Sequence, residues 1–66
     1  MRREQHMRAT IIKQDGPYHM LLHDERGDRR WVMLGRFKEG VDRDAGNIVM
    51  LEYRDGTWYA TRNANP

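Results

Sequence analysis

Residues 47–62 read NIVMLEYRDGTWYATR, and this stretch decides the fold. Two runs of alternating apolar residues flank Asp55-Gly56. Asp-Gly between such runs marks a type I′ hairpin turn, which needs positive φ at both central residues. With that dipeptide central, Tyr53 faces Trp58, Leu51 faces Ala60 and Val49 faces Arg62. Tyr53, Leu51, Val49, Trp58 and Ala60 then share one face. An aromatic cross-strand pair beside the turn adds roughly 0.2–1 kcal/mol relative to alanine. Tyr59 falls opposite Glu52 on the other face, with Ile48, Met50 and Thr61, so both faces are partly apolar.

The same turn chemistry recurs upstream at Asp15-Gly16. Further loops at Asp24–Asp28 and Lys38–Gly46 divide the chain into five strands: Met7–Gln14, Tyr18–Asp24, Arg29–Phe37, Asn47–Arg54 and Thr57–Arg62. Residues 1–9 contain good helix formers, but Thr10-Ile11-Ile12 is β-branched and precedes a turn, which favours a strand. Pro17 is tolerated in the turn or at the first strand position. A two-residue Asp15-Gly16 loop makes Ile11 face Met20 and Ala9 face Leu22. A loop over 25–28 makes Leu22 face Trp31 and Met20 face Met33. One face then gathers Met7, Ala9, Ile11, Tyr18, Met20, Leu22, Trp31, Met33 and Phe37. A one-residue slip would scramble this set. Gly35 falls opposite Tyr18, where an aromatic covers a glycine that lets the strand bend.

The expected fold class is therefore all-β: a three-stranded meander plus a C-terminal hairpin, forming a small five-stranded barrel or half-barrel, OB-like or SH3-like. The short first loop and long third connection favour the OB order. That connection has room for at most one turn of helix. Sixty-six residues make a single domain, 1–66, near the lower limit of useful core size. Frayed tails are expected at about 1–5 and 63–66.

Composition narrows the function classes. Cysteine is absent, so neither disulfides nor thiolate metal sites support the fold. No 18-residue apolar run predicts a membrane span, and residues 1–6 do not read as a signal peptide, so the expected compartment is cytoplasmic. Net charge is only +2, but ten of the twelve cations are arginine. Arginine grips phosphate and carboxylate bidentately and stacks on flat groups. Codon bias in a GC-rich genome explains the excess equally well.

The opposite face of the meander, in this register, carries Arg8, Thr10, Ile12, His19, Leu21, His23, Arg30, Val32, Leu34 and Arg36, with His23 beside Arg8 and Arg30. Arg8, His19, His23, Arg30 and Arg36 are the candidate nucleic-acid contacts, cations on phosphates beside apolar groups under bases. Ile12, Leu21, Val32 and Leu34 form an aliphatic stripe that either contacts a partner, an acidic protein or a second copy in a homodimer, or is covered by the chain's own loop. The expected function is a small non-enzymatic nucleic-acid-binding or regulatory module; the alternative is a protein-interaction module or accessory subunit using the same face.

No cofactor or metal is expected. His19 and His23 lie four residues apart on a strand, about 13 Å, too far to share an ion. Asp42–Asn47 departs from a calcium loop at its fifth and twelfth positions. Arg26-Gly27-Asp28 reads as a hairpin tip. Serine is absent, and the paired carboxylates Asp24/Glu25 and Asp42/Asp44 sit in predicted exposed turns, so catalysis has little support.

Overall fold

The computed structural model describes residues 5–64. They form five antiparallel strands in one sheet: β1 His6–Asp15, β2 His19–Asp24, β3 Arg29–Met33, β4 Ile48–Arg54 and β5 Thr57–Asn63. The order is β3-β2-β1-β4-β5. The described residues contain no α-helix, only a 3-10 turn at Leu34–Arg36. That turn ends β3 four residues before the expected limit at Phe37. The 38–47 connection is irregular.

The ten-residue β1 is the central strand. Its first half pairs with β4, from His6 opposite Glu52 to Thr10 opposite Ile48. Its second half pairs with β2, and a bulge at Ile12 separates the two registers within that ladder. Ala9, Ile11, Met20, Leu22, Val32, Val49, Leu51 and Ala60 form the buried core, with Met7, Leu34, Phe37, Val41 and Trp58 packed against it. Each large apolar side chain so buried contributes about 1.5–3 kcal/mol.

The last hairpin follows the sequence reading at its tip. Asp55 has φ +50° and Gly56 φ +83°, as the turn requires. Tyr53 faces Trp58 and Leu51 faces Ala60. The two rings meet edge-on at 5.2 Å. Beyond a second irregularity Val49 faces Asn63, not Arg62.

The first hairpin is corrected without losing its faces. Its closing pair is Asp15–His19, so the loop is Gly16–Tyr18. That shifts the ladder by three residues. The Ile12 bulge returns one, and Ile11 faces Leu22 rather than Met20. A net slip of two keeps Ala9, Ile11, Met20 and Leu22 on the same side.

The second hairpin is corrected by one residue, and every β3 side chain changes face. Asp24 N–H donates to Asp28 O and Gly27 N–H to Asp24 O, closing a three-residue loop over Glu25–Gly27. Gly27 takes φ +86°, the left-handed position of such loops. Met20 therefore faces Val32, and Leu22 faces Arg30. Val32 is buried; Trp31 and Met33, expected inside, are 53% and 40% exposed. Tyr18 is also exposed and does not cover Gly35, which sits in the 3-10 turn; the Tyr18 carbonyl accepts Leu34 N–H.

The sheet curls but is not closed. Beyond β3, Phe37 makes a single parallel bridge to Ala60, and Lys38 N–H donates to Ala60 O at 2.9 Å. The tails expected at 1–5 and 63–66 fall mostly outside the described residues. Of the described ones, Gln5 O accepts Tyr53 N–H, Asn63 ends β5, and Ala64 N–H donates to Ile48 O.

Candidate nucleic-acid interface

The outer face of β1–β2–β3 is built from cross-strand pairs. His23 lies opposite Thr10 and Arg29, Leu21 opposite Lys13 and Trp31, and His19 opposite Asp15 and Met33. Trp31 Nε1 donates to Asp15 Oδ2 at 2.6 Å. That bond runs from β3 to β1 and carries the indole across the outer side of β2. Leu21, at the centre of that row, is 8% exposed. The indole is held at one edge and still half open to solvent. Tyr18, Met33 and Ile12 are the other exposed large apolar groups of the meander.

Two cations flank this ring on the outer face: Arg29, two residues away on β3, and Lys13, in the same cross-strand row. Among the described residues the ion pairs are Arg30–Asp24 and Arg54–Glu52, so Arg8, Lys13 and Arg29 have no described carboxylate partner. Glu25 accepts the Arg8 backbone N–H, and Asp15 is committed to the indole.

The five cationic or histidine positions singled out from sequence divide accordingly. Arg8, His19 and His23 lie on the outer face. Arg30 points the other way: its Nε donates to Asp24 Oδ2 at 2.9 Å, and its guanidinium stacks over Trp58 at 5.2 Å. Arg36 belongs to the 3-10 turn, with its guanidinium 5.9 Å from the Tyr59 ring. His23 therefore neighbours Arg29, not Arg8 and Arg30. The contributors the sequence reading missed are Lys13, Arg29 and Trp31. The signal lay in Gly27: a three-residue loop with a left-handed glycine sets the β3 parity that turns Trp31 outward.

The proposed aliphatic stripe also divides. Val32 and Leu34 belong to the core side, Leu21 is buried on the outer side, and Ile12 is exposed at the bulge. They do not form one contact surface.

Asp24 is the buried counterpart of this face. Its side chain is fully enclosed, and Oδ1 accepts from the backbone N–H groups of Arg26 and Asp28. The Arg30 hydrogen bond, and then those backbone donors, hold its carboxyl below the usual range against the desolvation that would raise it. Glu52 is likewise lowered, by Arg54 and then Thr61. Carboxylates stabilised in this way are poor proton acceptors.

Among the described residues no three His, Cys, Asp or Glu side chains converge on a metal-sized site. No helix among them is long and apolar enough to cross a membrane. The chain matches no protein-family model, no curated protein and no solved structure.

Proposed function

We propose that this chain is a small, non-enzymatic nucleic-acid-binding module that uses the outer face of β1–β2–β3. One observation carries the reading: Trp31 is pinned through its indole N–H yet half exposed, between the unpaired cations Lys13 and Arg29, with Arg8 further along the same face. A fixed, open aromatic ring is a stacking surface for a base, worth about 1–3 kcal/mol per base. The flanking cations hold phosphates, and His19 and His23 add ring N–H contacts on the same face.

The strand order supports an OB-like arrangement over an SH3-like one. β1 lies between β2 and β4, and the chain after β3 returns beside β5 through the Phe37–Ala60 bridge. OB-folds bind oligonucleotides on the face of strands 2 and 3 and in the loop between strands 1 and 2. Trp31, His23, His19 and Tyr18 occupy those positions. A cytoplasmic location belongs to the same reading.

A second reading has its own observation. Tyr18, Met33 and Ile12 add exposed apolar area around Trp31, and such a patch also suits an acidic protein partner or a second copy. Fluorescence anisotropy with labelled oligonucleotides across a salt series separates the two. Nucleic-acid binding weakens steeply as salt rises, because phosphate contacts release counterions. Arg29→Ala flattens that slope, and Trp31→Ala lowers affinity at every salt concentration. Absence of binding to any oligonucleotide at low salt overturns the nucleic-acid reading and leaves the protein-partner one.

A further inference from the structure

The Ile12 bulge has a second consequence. It interrupts the β1–β2 ladder at the end of the sheet opposite the Asp24–Arg30–Trp58 cluster. There it leaves a cleft of about 390 Å³ lined by Ile12, Lys13, Gln14, Met20 and Leu34 on one side, and by Arg43, Asp44 and Ala45 on the other. The volume lies at the small end of ligand-sized pockets, enough for one compact group.

The far wall is rigid. Gly46 N–H donates to Ile11 O at 2.7 Å, and Ile11 N–H donates to Asn47 O at 2.9 Å, so the 42–47 loop is stitched to β1 just before the bulge. The buried Asn47 amide donates to Asp42 O and Asn63 Oδ1. Asn63 Oδ1 also accepts Asp42 N–H, and Asp42 Oδ1 accepts Asp44 N–H. The Arg43–Ala45 segment is thus positioned by bonds on both sides.

The lining has a defined chemistry. Ile12, Met20 and Leu34 provide an aliphatic surface that suits a flat ring. Lys13 and Arg43 have no described ion-pair partner. Asp44 disfavours a dianion and accepts from an amino or hydroxyl group. A single phosphodiester with its base and sugar satisfies all three conditions. Lys13 also stands in the same cross-strand row as Leu21 and Trp31, two strand spacings or about 10 Å from the β3 backbone. Met20 and Leu34 lie on the core side of the sheet, so a strand leaving the Trp31 platform passes Lys13 and crosses the β1 edge beyond Thr10, where the β4 pairing has ended, to reach the cleft.

We infer that this cleft is a nucleotide subsite and that the ligand class is single-stranded: one base stacks on Trp31 and a nucleotide further along the same strand, beyond the reach of a dinucleotide, enters between the β1 bulge and Arg43–Ala45. This rests on the nucleic-acid reading of the outer face. A duplex keeps its bases paired and has none to seat in the cleft.

The test titrates the 15N-labelled full chain with dC2, dC6 and a blunt duplex of matching length at low salt. Amide shifts are read alongside anisotropy. The expected result is that dC6 moves the Trp31 indole signal together with the amides of Lys13 and Arg43–Ala45. The duplex binds at least several-fold more weakly. Arg43→Ala, at an exposed position, weakens dC6 several-fold and reduces its salt slope by about 0.7, the share of one single-strand phosphate contact. It leaves dC2 on the platform unchanged. If dC6 moves the Trp31 signal while Arg43–Ala45 stay still, or Arg43→Ala changes neither affinity nor slope, the subsite is overturned and the platform stands. Duplex binding as tight as dC6 overturns the single-strand assignment. If no oligonucleotide binds, the platform reading itself falls, and the subsite with it.

Discussion

Two side-chain bonds carry most of the chemistry at the residue scale. The Trp31–Asp15 bond joins β3 to β1 across an intervening strand, so it fixes a ring that would otherwise rotate freely on an open face. Asp15→Ala should release the indole, red-shift Trp31 emission and lower oligonucleotide affinity. Asp15→Asn keeps an acceptor and should restore most of both. If Asp15→Ala binds as tightly as the parent, the pinning has no part in recognition. The Asp24–Arg30 bond acts on stability instead. Asp24 has a folded-state pKa below its usual value, so its contribution is present above about pH 4 and is lost as pH falls through the lowered value. Arg30→Met removes the largest cause of that depression. Its destabilisation, followed by urea unfolding, should be larger at pH 7 than at pH 2. Equal losses at both would show that only the stacking on Trp58 matters.

At the scale of elements, loop length decides what each strand presents. Glu25–Gly27 is one residue shorter than the loop expected from sequence, and that residue exchanges the inner and outer faces of β3. Gly27 is the position that makes the short loop possible. A side chain there would meet no atom within 4 Å, so the cost of Gly27→Ala is the left-handed backbone alone. Urea denaturation should show a loss of about 1–2 kcal/mol. Gly35 is a control. It has ordinary φ and equally open surroundings, so Gly35→Ala should be neutral or gain up to about 1 kcal/mol through the unfolded chain. A comparable loss at both glycines would contradict this account of the β3 register.

For the molecule as a whole, the two ends of the sheet are secured differently. Arg30 stacked on Trp58 ties β3 to β5 at one end. At the other, the 42–47 loop is hydrogen-bonded to β1 and leaves a cleft. Between them lies one small core, with Leu22, Leu51, Val49 and Ile11 nearly or fully excluded from solvent. Leu34 packs against that core rather than on an open stripe. Leu34→Glu should therefore lower the unfolding midpoint rather than convert a dimer to a folded monomer. Circular dichroism and sedimentation on the same sample distinguish these outcomes. A variant that remains fully folded but loses mass would return Leu34 to a partner surface.

The amino-acid sequence by itself determined the five strands, the Asp55-Gly56 turn and the shared face of Tyr53, Leu51, Trp58 and Ala60. These depend on local signals: alternation along a strand and a dipeptide suited to positive φ. It also identified Arg8, His19 and His23 as outer-face groups, because the two-residue slip in the first hairpin leaves parity intact. Gly27 carried a local signal for the short loop, but the folded structure decided the place of Trp31, Arg29 and Arg30, since β3 parity depends on a one-residue difference in a loop closed by the buried Asp24. It also decided the pairing of β1 with β4, which brings together strands separated by most of the chain. Backbone hydrogen bonding between distant strands is indifferent to side-chain identity, so local pattern carries little trace of it. The bulge at Ile12 belongs to the β1–β2 hairpin, but the cleft beside it forms only where the distant 42–47 loop is hydrogen-bonded to β1.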